Sequence, residues 1–253
     1  MKWRFIDTGF NTGKFNMDFD FELVNDFAFD SPVLRVYRWK PYCISLGANQ
    51  DFHSINTNKT ASDSLDIVKR PTGGRAILHS EDLTYSVVYP VSDNNSPKLI
   101  YREINLALKN GLKHYDSLFE NIELEHSQPH FPSFYKDKKS TLCFAVSAMN
   151  ELNYKGKKLA GSAQRKIGNV ILQHGSILCG SYHKKIVDYL NLPSDRLEEI
   201  NIEIERTTTD METILCEKIN YKRLADSIKK GFEDHFKIEF DENKVEELIS
   251  QVI

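Results

Sequence analysis

The chain has 253 residues, 40% of them hydrophobic and 27% charged, with a net charge of −3. That composition suits a globular protein long enough to bury one large core. The mild acidity and the lack of a basic stripe argue against nucleic acid as a partner. No run approaches the roughly 18 apolar residues that a membrane-spanning helix needs, and the opening Met1-Lys2-Trp3-Arg4 is no signal peptide, so a cytoplasmic protein is expected. The cysteines Cys43, Cys143, Cys179 and Cys216 are widely spaced, which points away from a disulfide framework and from a metal site.

In chain order, alternation of branched and polar residues predicts a strand over 32–39, followed by a short apolar strand over 42–46 that Gly47 ends. Another strand, 66–70, stops at Pro71 and the Gly73-Gly74 pair. Residues 75–79 and 83–89 read as a pair of buried strands. A helix then starts at Ser96-Pro97, with Ile100, Ile104, Leu108, Leu112 and Tyr115 on one face. Residues 126–141, with Pro129, Pro132 and a charged run, read equally as a lid or as a solvated loop. Strands resume over 149–154, turn at Gly156, and continue over 159–164 and 170–178. The last third reads as helical: one helix carries Tyr221, Leu224, Ile228 and Phe232 after Asn220, and a final one carries Val245, Leu248, Ile249 and Val252. Strands with one inserted helix, then helices, predict an α+β fold with a mixed sheet, not a βαβ repeat. We expect one domain over 1–253, with C-terminal helices from about residue 183 packed on it.

Three strings carry candidate chemistry. In Arg70-Pro71-Thr72-Gly73-Gly74-Arg75-Ala76-Ile77-Leu78-His79, two glycines let backbone amides approach a ligand, and two arginines can face a phosphate or a carboxylate. Taken alone, such a string is more often a tight turn with solvated arginines. In Lys158-Leu159-Ala160-Gly161-Ser162-Ala163-Gln164, small residues occupy a strand where β-branched ones are expected, so either a ligand or a helix packs close to it. In Gln173-His174-Gly175-Ser176, a histidine interrupts an apolar strand, a pattern that also fits a hydrogen-bonded core residue. Cys143, between Leu142 and Phe144, is by itself a small buried hydrophobe.

Taken together these strings resemble the lipoate–protein ligase A/octanoyltransferase family, over roughly residues 3–190. The resemblance implies a fold shared with biotin protein ligases and class II aminoacyl-tRNA synthetase cores. It implies that Arg70, Thr72, Gly73, Gly74, Arg75, Ala76 and His79, with Thr84 and Ser86, form the ligand loop and its neighbour. It also implies that Lys158 is catalytic, that Gly161, Ser162, Ala163 and Gln164 belong to the lysine motif, and that His174 and Gly175 flank the ligand. The opening stretch Asn16-Met17-Asp18-Phe19-Asp20 is a loose match to the family's first helix.

Cys143-Phe144, followed by Glu151-Leu152 and Lys158, is similar to the cysteine-dependent octanoyltransferases, although Ala145 stands where those commonly have an aspartate. That branch implies Cys143 as nucleophile and acyl carrier protein as donor. Its acceptor is a lysine of a lipoyl domain, from a 2-oxoacid dehydrogenase or the glycine-cleavage H protein. It also implies a monomer with neither cofactor nor metal. The other readings are an ATP- and magnesium-dependent lipoate ligase domain needing an accessory chain, an amidotransferase between carriers, and a non-catalytic binder of acyl or lipoyl domains. Biotin ligation is disfavoured, because no basic GRGRxGR-type loop is present.

Overall fold

Burial and capping patterns place the elements in a computed structural model that describes residues 2–25, 31–91, 95–125 and 150–241. Strand β1 (Arg4–Asn11) leads into helix α1 (Gly13–Asn25), so the stretch from Asn16 to Asp20 is helical. Strands β2 (Val33–Trp39) and β3 (Cys43–Leu46) follow. The short helix α2 (Thr57–Ser62), capped by Asn56, leads to β4 (Asp66–Lys69) and β5 (Ile77–His79). Strand β6 (Asp82–Pro90) precedes α3 (Pro97–Tyr115), in which Ser96 caps the amide of Leu99 and Pro97 sits in the first turn. Then come β7 (Ile122–Leu124), β8 (Leu152–Tyr154), β9 (Lys157–Ile167) and β10 (Val170–Leu178). Helices α4 (Ser194–Thr207), α5 (Met211–Leu215) and α6 (Tyr221–Phe236) close the described chain. The β8–β9 hairpin turns through Lys155 and Gly156, both at positive φ (50° and 75°).

Among the described residues the strands form two sheets, one seven-stranded with order β1-β2-β6-β10-β9-β8-β7 and one three-stranded with order β4-β3-β5. Pairing is parallel at β1–β2 and β3–β4 and antiparallel elsewhere, which makes the larger sheet mixed. The two buried strands read from 75–79 and 83–89 both exist, but they do not pair with each other. Asp82 accepts from the amide of Ser80 and turns the chain out of the small sheet, so β5 pairs with β3 while β6 inserts between β2 and β10. The expected final helix (Val245 to Val252) and the 126–141 segment lie outside the described residues.

One face of the large sheet is closed by α3 and α6. Leu34, Val36, Tyr85 and Val87 pack there against Ile104, Leu108, Ile228 and Phe232. The two helices meet backbone to backbone: a Cβ on Gly231 would lie 2.1 Å from the amide nitrogen of Gly111. Trp3 packs on Phe232 and Phe236, and its carbonyl accepts from Asp241, tying the C-terminal helices to β1. The opposite face carries α1 and the small sheet, and the candidate site lies there. Among the described residues no helix is long and apolar enough to cross a membrane.

Candidate active site

Strand alternation sorts the residues of the sheet onto its two faces. Arg35, Ser86, His174 and Ala163 stand opposite one another across β2, β6, β10 and β9. Two residues along, Tyr37, Thr84, Ser176 and Gly161 do the same. Both rows face α1 and the small sheet. The row between them, Val36, Tyr85, Gly175 and Ser162, faces the helices. On that side Ser162 Oγ bonds Asn105 of α3 (3.0 Å) and the Tyr85 hydroxyl (2.6 Å). A helix therefore packs at Ser162 on one face of the small-residue strand, and open space lies beside Gly161 and Ala163 on the other.

That space is a narrow cleft between the large sheet, α1 and the small sheet. Its wall includes Met17 of α1, Tyr37 and Trp39 of β2, and Ser45, Arg70, Ile77 and His79 of the small sheet and its loop. Thr84, Gly161, Ser162, Ala163, His174, Gly175 and Ser176 complete it from the large sheet. Of the residues expected from sequence, Arg70, His79, Thr84, Gly161, Ser162, Ala163, His174 and Gly175 converge here.

The polar groups of the wall are fixed by bonds to one another. His79 stacks on Trp39 (ring centroids 4.1 Å apart), bonds Ser45 through Nε2 (2.8 Å) and reaches Asp82 through Nδ1 (3.0 Å). Trp39 donates to Thr84 (2.7 Å), which donates in turn to Asp82 (2.8 Å). Burial opposes charge on Asp82, but the His79 ring and the hydroxyls of Ser176 and Thr84 outweigh it and hold the carboxyl below its usual range.

A second network lies beside it. Asp20 of α1 pairs with Arg35 at 2.7 Å, both fully buried, and accepts from Ser86 (2.7 Å) and Tyr37 (3.0 Å). Burial works against the Asp20 charge too, and Arg35, His174 and the Ser86 hydroxyl outweigh it, so its pKa is lowered. His174 has Asp20 3.6 Å from Nδ1 and Thr72 Oγ1 2.5 Å from Nε2. Burial lowers the pKa of this imidazole, so it is neutral at pH 7.

The glycine loop is held from below by Arg70. Arg70 is 4% exposed, and its guanidinium donates to the carbonyls of Ser45, Gly73 and Arg75. Loop carbonyls without a strand partner need donors, and the five-donor fork of arginine supplies them. Arg70 thus acts as a scaffold. Gly74 has φ of 92°, and its carbonyl leaves no room for a Cβ on Gly47 (2.1 Å). Thr72 ties the loop to His174 and Arg165 ties it to β9 through the carbonyl of Pro71 (2.8 Å). Gly73, Gly74 and Arg75 lie in this loop beside the cavity, not in its wall. Ala76 is buried in the core of the small sheet. Gln164 bonds Gln173 on the helix side of the sheet, and Ser86 is committed to Asp20.

Lys158 is 1% exposed and its ammonium pairs with Glu151 at 2.7 Å. Among the described residues it does not reach the cavity wall, but the other oxygen of the Glu151 carboxylate accepts from the amide of Ser162 (3.0 Å), which does. Cys143 lies outside the described residues. Burial raises the thiol pKa of Cys43 and of Cys179, so both are packing residues, not thiolates. Cys216 is exposed and in a left-handed conformation at the end of α5.

Sequence reasoning passed over Asp20, Arg35, Tyr37, Trp39, Ser45, Asp82 and Ser176. Two signals were available. Arg35 is a lone charge inside the apolar run Val33-Leu34-Arg35-Val36, and a charge in such a strand requires a buried partner. Asn16 and Asp20, four apart on α1, supply bonds to it.

Comparison with known proteins agrees with this geometry. The model of the lipoyl protein ligase A/B catalytic domain matches residues 12–233. The chain is 33% identical to the octanoyltransferase LipM of Bacillus subtilis over 242 residues, covering 92% of this chain and 84% of that one. It is 30% identical to the octanoyltransferase LipM of Clostridioides difficile, covering 100% of this chain and 93% of that one. Among solved structures, a bi-partite lipoate protein ligase from Thermoplasma acidophilum superposes with a TM-score of 0.76 at 19% identity, covering 100% of this chain and 92% of that one. A lipoate-protein ligase A bound with ATP gives 0.72 at 18%, covering 100% and 94%. At those identities the likeness shows the fold, a mixed sheet flanked by helices. The family match over most of the chain, with relatives above 30% identity along nearly its whole length, places this protein in the lipoyl protein ligase A/B catalytic domain family.

Proposed function

We propose that this protein is an octanoyltransferase of lipoate biosynthesis, octanoyl-[acyl carrier protein]:protein N-octanoyltransferase. It takes octanoyl from acyl carrier protein in the cytoplasm and places it on a lysine of a lipoyl domain. The observation that carries this reading is the similarity to octanoyltransferases LipM along almost the whole chain. The lining of the cleft supports it: Gly161 and Ala163 present little bulk on one wall, and Ile77 and Met17 make the other walls apolar, which suits an unbranched acyl chain.

In this reading the Cys143 thiolate attacks the donor thioester. A new carbon–sulfur bond forms, and the carrier thiolate leaves. The exchange between sulfurs is nearly isoenergetic, so the acyl group stays activated without ATP. The acceptor lysine, as free amine, then attacks the enzyme thioester. An amide forms, Cys143 leaves as thiolate, and the amine proton passes to solvent. The positive charge of Lys158 would stabilise the oxyanion of each tetrahedral step. Cys43 and Cys179 are unsuited to the nucleophile's role, because burial raises their thiol pKa values.

The test is an intact-mass measurement after mixing the protein with octanoyl-acyl carrier protein in the absence of ATP. The expected result is a covalent octanoyl adduct that is lost in Cys143→Ala and passes to an added lipoyl domain. The competing ligase reading is motivated by the fold likeness to a lipoate-protein ligase A bound with ATP. Modification of the lipoyl domain only from free acid and ATP would establish it and reduce Cys143 to packing.

A further inference from the structure

Glu151 is built into a rigid corner of the large sheet. Its carbonyl accepts from Glu125, whose own carbonyl accepts from Asn150, and Asn150 adopts the left-handed conformation (φ 69°) just before it. Asn153, two residues on, donates to the Glu125 carboxylate (2.9 Å). The Glu151 side chain is 3% exposed. One of its oxygens holds Lys158 Nζ at 2.7 Å, and the other holds the amide of Ser162 at 3.0 Å.

Ser162 is itself bonded at every polar atom. Its carbonyl accepts from Tyr101 (3.1 Å), and its hydroxyl meets Asn105 and Tyr85. Fixing Ser162 fixes its neighbours Gly161 and Ala163, which line the cavity. A single carboxylate therefore spans from the ammonium of Lys158 to the wall of the acyl cavity.

We propose that Glu151 is a positioning residue for acyl transfer: it sets where the Lys158 ammonium stands relative to the acyl cavity by holding both through one carboxylate. This rests on the acyl-transfer reading above. A lysine has a long flexible stem and a point charge, so its placement depends on a fixed counter-charge. The Ser162 bond makes that placement register with the cavity and not only with the fold.

The two oxygens can be separated by substitution. Glu151→Gln keeps an oxygen for the Ser162 amide but removes the charge facing Lys158. Glu151→Ala removes both, and Glu151→Asp keeps the charge on a shorter arm. The experiment measures steady-state octanoyl transfer from octanoyl-acyl carrier protein to a lipoyl domain, together with labelling of Lys158 by an amine-acylating reagent, read by peptide mass. Exposed Lys157 serves as the internal control, and a thermal melt confirms that each variant is folded.

The expected result is that Glu151→Gln loses at least about tenfold in kcat while its KM for the donor stays within about twofold. Glu151→Ala raises KM as well, and Glu151→Asp recovers part of kcat where Gln does not. Lys158 labelling rises in the Gln variant while Lys157 labelling stays constant. Wild-type kcat in folded Glu151→Gln overturns the proposal, as does an equal loss in the Asp and Gln variants, which would mark a packing role. The two possible failures are distinct. If the wild-type protein transfers nothing without ATP, the transferase reading fails by itself. The same kcat comparison in the ATP-dependent reaction, with the labelling, then decides the role of Glu151.

Discussion

Replacing Arg35 with methionine should test how the floor of the cavity is held. The Arg35 guanidinium is fully buried and pairs with Asp20, also fully buried, at 2.7 Å. It further bonds Thr8 Oγ1, the carbonyl of Asn16 and Asn16 Oδ1, and lies between the rings of Phe19 and Tyr37. Methionine fills much of the same volume but leaves the Asp20 carboxylate buried without the guanidinium. Breaking a buried ion pair from one side costs about 3–5 kcal/mol. For a chain of this size that corresponds to a fall of roughly 6–20 °C in Tm. Adding Asp20→Asn removes the stranded charge, and its one amide oxygen can still accept from either Ser86 or Tyr37, which bond different oxygens of the carboxylate. The double variant should therefore be more stable than the sum of the two single losses by about 1.5–3 kcal/mol. Urea unfolding of the wild type, both single variants and the double variant closes the cycle. A loss below about 1 kcal/mol in Arg35→Met, or additive losses in the double variant, would refute the claim that a desolvated charge pair holds this wall.

Other outcomes follow from the same geometry. Gly175→Ala places a Cβ 2.2 Å from the Gly161 carbonyl oxygen and 2.9 Å from the Tyr85 ring, so β9 and β10 must part. The expected cost is about 1–3 kcal/mol by thermal or urea unfolding, and an unchanged midpoint would contradict the close approach. Ala163→Leu, on the cavity face of β9, should cut octanoyl transfer by about tenfold or more while sparing a shorter acyl donor. Equal transfer of both donors would mean that the chain does not lie beside β9. Stability should fall on acidification in two windows. The pKa of His174 is lowered by burial, so its contribution is present above the unfolded value of about 6.5 and is lost as the pH falls toward the folded value, with a slope of at most about 1.4 kcal/mol per pH unit. Asp20 and Asp82 are also lowered, so their contributions are present above about 3.9 and are lost below it. Burial lowers the pKa of His183 as well, so urea midpoints across that range should lose part of the upper window in His174→Gln, and an unchanged profile would show that His174 does not contribute to it.

Local chemistry by itself determined much of this protein. The Ser96-Pro97 start of α3, its five periodic apolar residues, the Asn220 cap of α6 and the span of β10 are set by neighbours within a turn or a strand, and each stands where the sequence puts it. The glycine loop, the lysine strand and the histidine strand were legible as strings because their residue types are unusual for their elements. The tertiary structure decided the rest. Whether β5 pairs with β6 depends on partners far along the chain: β3 takes one, and β2 and β10 take the other. Arg70 reads as a ligand-facing cation, but its fork reaches the loop carbonyls of Gly73 and Arg75 and the β3 carbonyl of Ser45, which come together only after folding. Asp20 and Arg35 meet across α1 and β2, and Lys158 meets Glu151 across β9 and the residue before β8. Buried charges find partners in three dimensions, because desolvation forbids them to stand alone and sequence spacing carries no record of where the partner comes from.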